Sequence, residues 1–150
     1  MLAAGGGTMN DMPDILEGSC LCGRVRYRAR APWGEMDHCH CLHCRKSHGA
    51  AFATYIEARS EAFEWIAGRE NLETYMADTG TKRSFCVTCG STLTCWTDAD
   101  PAVLEIAAGT LDTPVTMRAR AHIFVRSKAP WLDILDDVPQ YRTYRDTPAK

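Results

Sequence analysis

The stretch DHCHCLHCRKSHGAAF, residues 37–52, sets Cys39, Cys41 and Cys44 within six positions. Three thiols so close together need a reason, and three is an awkward number. A closed tetrahedral zinc takes four ligands, and disulfides take an even count. Two completions stand open. Three protein ligands plus one exchangeable position is the usual arrangement of a catalytic zinc. Alternatively, one of the nearby histidines, His38, His40, His43 or His48, closes a second structural site.

The other cysteines are Cys20, Cys22, Cys86, Cys89 and Cys95. The run CVTCG, Cys86 to Gly90, has the form of a zinc knuckle: the turn aims both sulfurs one way, and glycine lets a backbone N–H approach. A redox C-x-x-C wants a βαβ context, which KRSFCVTCGSTLTCW does not resemble. In GSCLCGRVRYRA, alternation through Val25 and Tyr27 suggests a strand after a glycine turn. On an extended segment Cys20 and Cys22 face one side and converge on one ion. The two pairs complete a closed Cys₄ structural site that pins the start of the domain to its middle. Cys95, in STLTCWTD, reads as a small buried apolar residue in a strand.

The 150-residue chain is long enough for one domain with a real core. Its net charge of −2 argues against a nucleic-acid face or a polybasic membrane patch. No apolar run approaches the roughly 18 residues that span a bilayer. The opening MLAAGGGTMNDMPD lacks the basic and apolar regions of an export signal. Residues 1–14 read as a disordered leader, 15–145 as the domain and 146–150 as a frayed tail. The expected location is the cytoplasm, where reducing conditions favour metal binding over disulfides. Nothing in the sequence sets an oligomeric state.

Short candidate strands lie at 24–28, 51–57, 63–67, 83–85, 91–95, 104–108 and 118–125, separated by Gly, Pro and Asp punctuation. LHCRKSHG after Cys41 suits one helical turn ended by Gly49. The segment from Trp131 to Tyr141 is expected to pack back on the sheet without regular structure.

GSCLCGRVRY, HCHCLHCRKSHGAAF, KRSFCVTCGSTL, AAGTLDTP and AHIFVRSKAPWLDI occur in this order across residues 18–131. In them the chain resembles the glutathione-dependent formaldehyde-activating enzyme (GFA/CENP-V) family. The resemblance implies a mainly β, Mss4-like, zinc-stabilised fold. It also implies a structural zinc on Cys20, Cys22, Cys86 and Cys89 and a second zinc on Cys39, Cys41 and Cys44, the same partition that spacing suggests. The activity it implies is that of a carbon–sulfur lyase, an S-(hydroxymethyl)glutathione synthase joining formaldehyde to glutathione.

Three thiolates on zinc leave a net negative site, and an incoming thiol loses its proton on coordination. A thiolate is a far better nucleophile than a thiol, so a small thiol held there attacks an aldehyde nearby. Arg45 and Lys46 adjoin Cys44 and are the candidate cations for an anionic thiol substrate. His40 and His48 are candidate proton shuttles. Two other readings stay open: a non-catalytic zinc-stabilised binding module, and a thiol oxidoreductase using Cys95 or the C-x-x-C pair. The second lacks a lone cysteine to resolve Cys95 once zinc ligands are assigned.

Overall fold

The structure, a computed structural model, describes residues 11–145. Most of the expected leader and all of the expected tail therefore lie outside the described residues. Among the described residues the chain is mainly β, in line with the Mss4-like expectation. A three-stranded antiparallel sheet runs β1 (Ile15–Ser19), β2 (Arg26–Arg30), β5 (Phe63–Ala67). A larger sheet contains β3 (Met36–Cys39), β4 (Ala53–Arg59), β6 (Leu72–Met76), β7 (Thr81–Cys86), β8 (Thr92–Thr97), β9 (Val103–Ala107) and β10 (Ala121–Ile123). Its spatial order is β10-β3-β4-β9-β8-β7-β6, with only β10 and β3 parallel. The single α-helix among the described residues, α1, is Leu42–His48. It stops where expected, at Gly49, whose φ of 57° is left-handed and whose N–H closes on the Arg45 carbonyl. No described helix is long and apolar enough to cross a membrane.

The two faces of the large sheet hold different interiors. One packs Ile56, Ala58, Leu104 and Ile106 against Leu16, Tyr27 and Ala29 of the small sheet and Val25 of the turn before β2, forming the main core. The other gathers Cys39, Cys44, Ala53, Tyr55, Cys95 and Ala107. Strand alternation sorts the residues: Tyr55 faces the cysteines and Ile56 the core. Leu93 and Cys95 are two residues apart yet belong to opposite interiors. A bulge explains it, since Ser84 pairs with Thr94 and Phe85 with Thr92, leaving Leu93 as the extra residue.

Three strands were not expected: β1, β3 and β6. The expected strand at 24–28 begins two residues later, because the turn after Cys20 runs to Val25 and closes with Cys20 N–H donating to the Val25 carbonyl at 3.0 Å. The C-terminal segment does return to the sheet, but through its backbone. The His122 N–H donates to the Pro139 carbonyl and the Tyr141 N–H to the His122 carbonyl, both at 2.8 Å. Within this segment the side chains of Trp131 and Leu135 face solvent.

Candidate metal centres and active site

The sulfurs of Cys20, Cys22, Cys86 and Cys89 all lie within 4.8 Å of one another. Cys20 and Cys22 are 3.5 Å apart and Cys22 and Cys86 3.9 Å. Four sulfurs bound tetrahedrally at a Zn–S length of about 2.3 Å stand about 3.8 Å apart, so the donor set fits zinc. Cys20 and Cys22 converge through the β1–β2 turn rather than along an extended strand. Within it, the Val25 N–H points at the Cys20 sulfur, 3.3 Å away. Cys86 ends β7, and the knuckle turns at Gly90, with a φ of 77° and its N–H on the Cys86 carbonyl at 2.8 Å. Ser91 joins the half-sites: its hydroxyl accepts from the Leu21 N–H at 2.9 Å and lies 3.3 Å from the Cys89 sulfur. That hydroxyl pulls the Cys89 thiol down to about 5, toward the thiolate a metal needs.

The second cluster is built by a strand end and a helix start. Cys39 is the last residue of β3, Cys41 is the extended N-cap of α1, and Cys44 lies in the first turn. The Cys41 sulfur accepts from the Cys44 N–H at 3.3 Å, which holds both thiols on one side of the helix. All three sulfurs lie within 4.8 Å of one another, and no described histidine joins the set. Hydrogen bonds from Cys39 and Cys44 pull the Cys41 thiol down to about 2, while sharing a proton with Cys41 pushes Cys39 up. One negative charge is thus favoured without a metal, and three require a cation such as Zn²⁺.

These three cysteines form one wall of a cavity of about 410 Å³. The floor is the large sheet, through Tyr55, Thr81, Arg83, Cys95 and Glu105, and Phe124 and Tyr144 line it from the C-terminal side. Arg83 is buried and aims Nη2 at the Cys44 sulfur, 3.8 Å away. Burial works against its charge, but Cys95 and Cys44 outweigh that and raise its pKa.

A match to the model of the glutathione-dependent formaldehyde-activating enzyme family covers residues 15–127, from the first strand through both cysteine clusters to the segment after β10. The chain belongs to this family. A Halomonas elongata protein, provisionally named as such an enzyme, is 28% identical over 80% of this chain and 81% of its own. An uncharacterised lyase of Schizosaccharomyces pombe is 29% identical over 55% of this chain and 57% of its own. A Rhodobacter sphaeroides protein of known crystal structure superposes with a TM-score of 0.57 at 28% identity, covering 65% of this chain and 89% of that one.

The histidines and cations near the triplet of this GFA family member take separate positions. His40 is fully buried, with Nε2 2.7 Å from His122 Nδ1, and His122 Nε2 is 3.1 Å from an Asp136 oxygen. A carboxylate only accepts, so the network assigns the His122 proton to Nε2 and has His40 Nε2–H donate to His122 Nδ1. Burial, then the neighbouring His122, depresses His40 to about 4. His38 Nδ1 pairs with the Thr54 hydroxyl at 2.7 Å, and His48 Nε2 with the Tyr55 hydroxyl at 2.9 Å. Of the four histidines around the triplet, only His43 lines its cavity. Arg45 does not line the cavity and donates to the carbonyl of Ser127, which does, at 2.8 Å. Lys46 lines a neighbouring cavity of about 590 Å³ that also includes Arg83 and Asp78. Sequence reasoning missed Arg83, Tyr55 and Glu105. The signal that unites them is cross-strand register, which local spacing does not carry.

Proposed function

We propose that the cavity beside Cys39, Cys41 and Cys44 joins a small thiol of the glutathione kind to an aldehyde of the formaldehyde kind, forming a carbon–sulfur bond. The observation that supports this best is the convergence of three sulfurs, without a described histidine among them, on the wall of a cavity with room for a ligand. In this reading each chain takes two zinc ions. Cys20, Cys22, Cys86 and Cys89 hold a structural ion, and Cys39, Cys41 and Cys44 hold the ion of the active site. A zinc ion with an exchangeable position supplies Lewis acidity that turns a bound thiol into a thiolate at neutral pH.

The chain's own residues supply the rest. Arg83 offsets the negative charge of the three thiolates from beside Cys44. Lys46 and Arg83, on the neighbouring cavity, meet the carboxylates of a peptide thiol, whereas Arg45 is occupied by Ser127. His48 reaches the cavity only through the Tyr55 hydroxyl it holds, which gives a proton a route outward. His40 orders the chain between Cys39 and Cys41 through His122 and Asp136.

Cys41→Ala tests the reading. The variant should keep its fold and its Cys₄ metal, lose one zinc, and lose all thiol–aldehyde activity above the uncatalysed rate. Full activity in Cys41→Ala, or none in the wild type with any small thiol, defeats the proposal.

A further inference from the structure

Glu105 is an odd residue for its place. It is the third residue of β9, which is the middle strand of the seven-stranded sheet. Its neighbours Leu104 and Ile106 are buried in the main core on the opposite face. Register sets Glu105 beside Cys95 of β8 on one side and Glu57 of β4 on the other, and Cys95 beside Arg83 of β7. These side chains therefore share the face that floors the triplet's cavity, and Arg83, Cys95 and Glu105 all line it. A carboxyl at the centre of a sheet is costly to bury, and one that opens into a cavity walled by thiols is a candidate for a functional role.

We infer that Glu105 is the catalytic base and acid of this cavity, taking the proton of the incoming thiol and returning it to the aldehyde oxygen. The inference rests on the thiol–aldehyde reading above. The substrate S–H bond breaks and its proton goes to a Glu105 oxygen. The sulfur electron pair forms the bond to the carbonyl carbon. The carbonyl π pair moves to oxygen, and that oxygen takes the proton back from Glu105. Nothing is oxidised or reduced, and the carboxylate is regenerated.

The surroundings suit the role. Burial first, then the like charge of Glu57, pushes Glu105 up to about 7, so both protonation states exist at neutral pH. The groups facing it are Tyr55 and Glu57 from β4, Asp37 from β3, Cys95 from β8, Arg83 from β7 and Tyr144 from the C-terminal segment. Burial and Glu105 itself push Cys95 up to about 12, so Cys95 stays a neutral thiol beside it.

Glu105→Gln in the zinc-loaded protein is the test, because Gln keeps the shape and a hydrogen-bonding group beside Cys95. The expected result is a variant with both metals and a kcat lower on the order of 10²-fold. Its pH–rate profile should lose the inflection near neutrality that the wild type shows, with partial recovery in Glu105→Asp. Infrared difference spectra of the wild type should show a carboxyl band titrating near neutral pH, absent from Glu105→Gln. If Glu105→Gln keeps the wild-type rate and profile while Cys41→Ala abolishes activity, Glu105 has no such role and the thiol–aldehyde reading stands. If the wild type has no such activity, both fall. If the glutamine variant does not fold, the infrared titration decides: no carboxyl titrating near neutrality in the wild type overturns the inference.

Discussion

Arg83 Nη2 stands 3.8 Å from the Cys44 sulfur, although one residue lies on β7 and the other on α1. The guanidinium is the buried positive charge beside the thiolate triplet. Removing it leaves the negative cluster less compensated, and a charge-assisted hydrogen bond is worth about 1.5–3 kcal/mol. Arg83→Leu should weaken zinc binding at the triplet by about tenfold or more, with Arg83→Lys in between because lysine keeps the charge but not the planar fork. Competition with a chromogenic chelator measures this. Equal affinity in wild type and leucine variant shows that Arg83 does not support the site.

Cys86→Ser should be a folding variant. Cys86 is fully buried at the end of β7 and its site ties the β1–β2 turn to the knuckle. Structural zinc in zinc-finger peptides contributes about 10–16 kcal/mol, as much as the whole stability of a typical domain. The variant should give little soluble protein and retain no Cys₄ metal. In the wild type, stepwise chelation should remove one zinc with the fold intact and the second only with unfolding, as followed by circular dichroism. A stable, fully metallated Cys86→Ser overturns the structural assignment.

The cysteine groupings were legible because the spacing within each is local: a knuckle is a local turn, and i, i+2, i+5 sulfurs around one helix start are local too. The helix and its stop at Gly49 were legible for the same reason. The strand β6 was not, since Glu73, Thr74, Tyr75 and Met76 all face solvent on an edge and give no alternation. β3 is four residues long and reads as a ligand loop because three of its residues are Asp37, His38 and Cys39 rather than an apolar pattern. Arg45 and Lys46 adjoin Cys44 in sequence, but the helix turns Arg45 toward Ser127. Arg83 and Glu105 acquire meaning only when β7, β8 and β9 are placed in register, which is tertiary information.

The buried His40 makes stability pH-dependent. Its folded-state pKa is depressed from 6.5 to about 4, so between those values the unfolded chain binds a proton that the folded chain refuses. Stability is complete above pH 6.5 and falls as the pH drops through this window toward 4. Going from about pH 7 to pH 5, this group alone should cost about 2 kcal/mol. His40→Gln keeps a donor for His122 and removes the titration. Urea unfolding of both proteins at the two pH values should show a smaller loss in the variant, and equal losses contradict the assignment. His40 lies between Cys39 and Cys41, so zinc content measured on both proteins at each pH separates loss of metal from the titration of His40.

The last expectation concerns access to the three-cysteine site. A closed Cys₄ site must release a thiolate before it admits a new ligand, whereas a site with an exchangeable position admits one without displacing protein. Cobalt substituted at both sites reports the ligand field at each. Glutathione should therefore change the visible spectrum of the wild type, adding sulfur-to-metal charge transfer from the three-cysteine site. The spectrum of Cys41→Ala, which retains only Cys₄ cobalt, should not respond. The size of the response should saturate with one thiol per chain, because one position is exchangeable. An uncharged thiol such as mercaptoethanol should produce the same change with weaker affinity, since it cannot use the cations of Lys46 and Arg83 on the adjoining cavity. A wild-type spectrum that ignores both thiols, with cobalt present at both sites, means the fourth position is taken by the protein. The triplet would then be a second structural centre, and the cavity beside it would have to be explained without thiol chemistry.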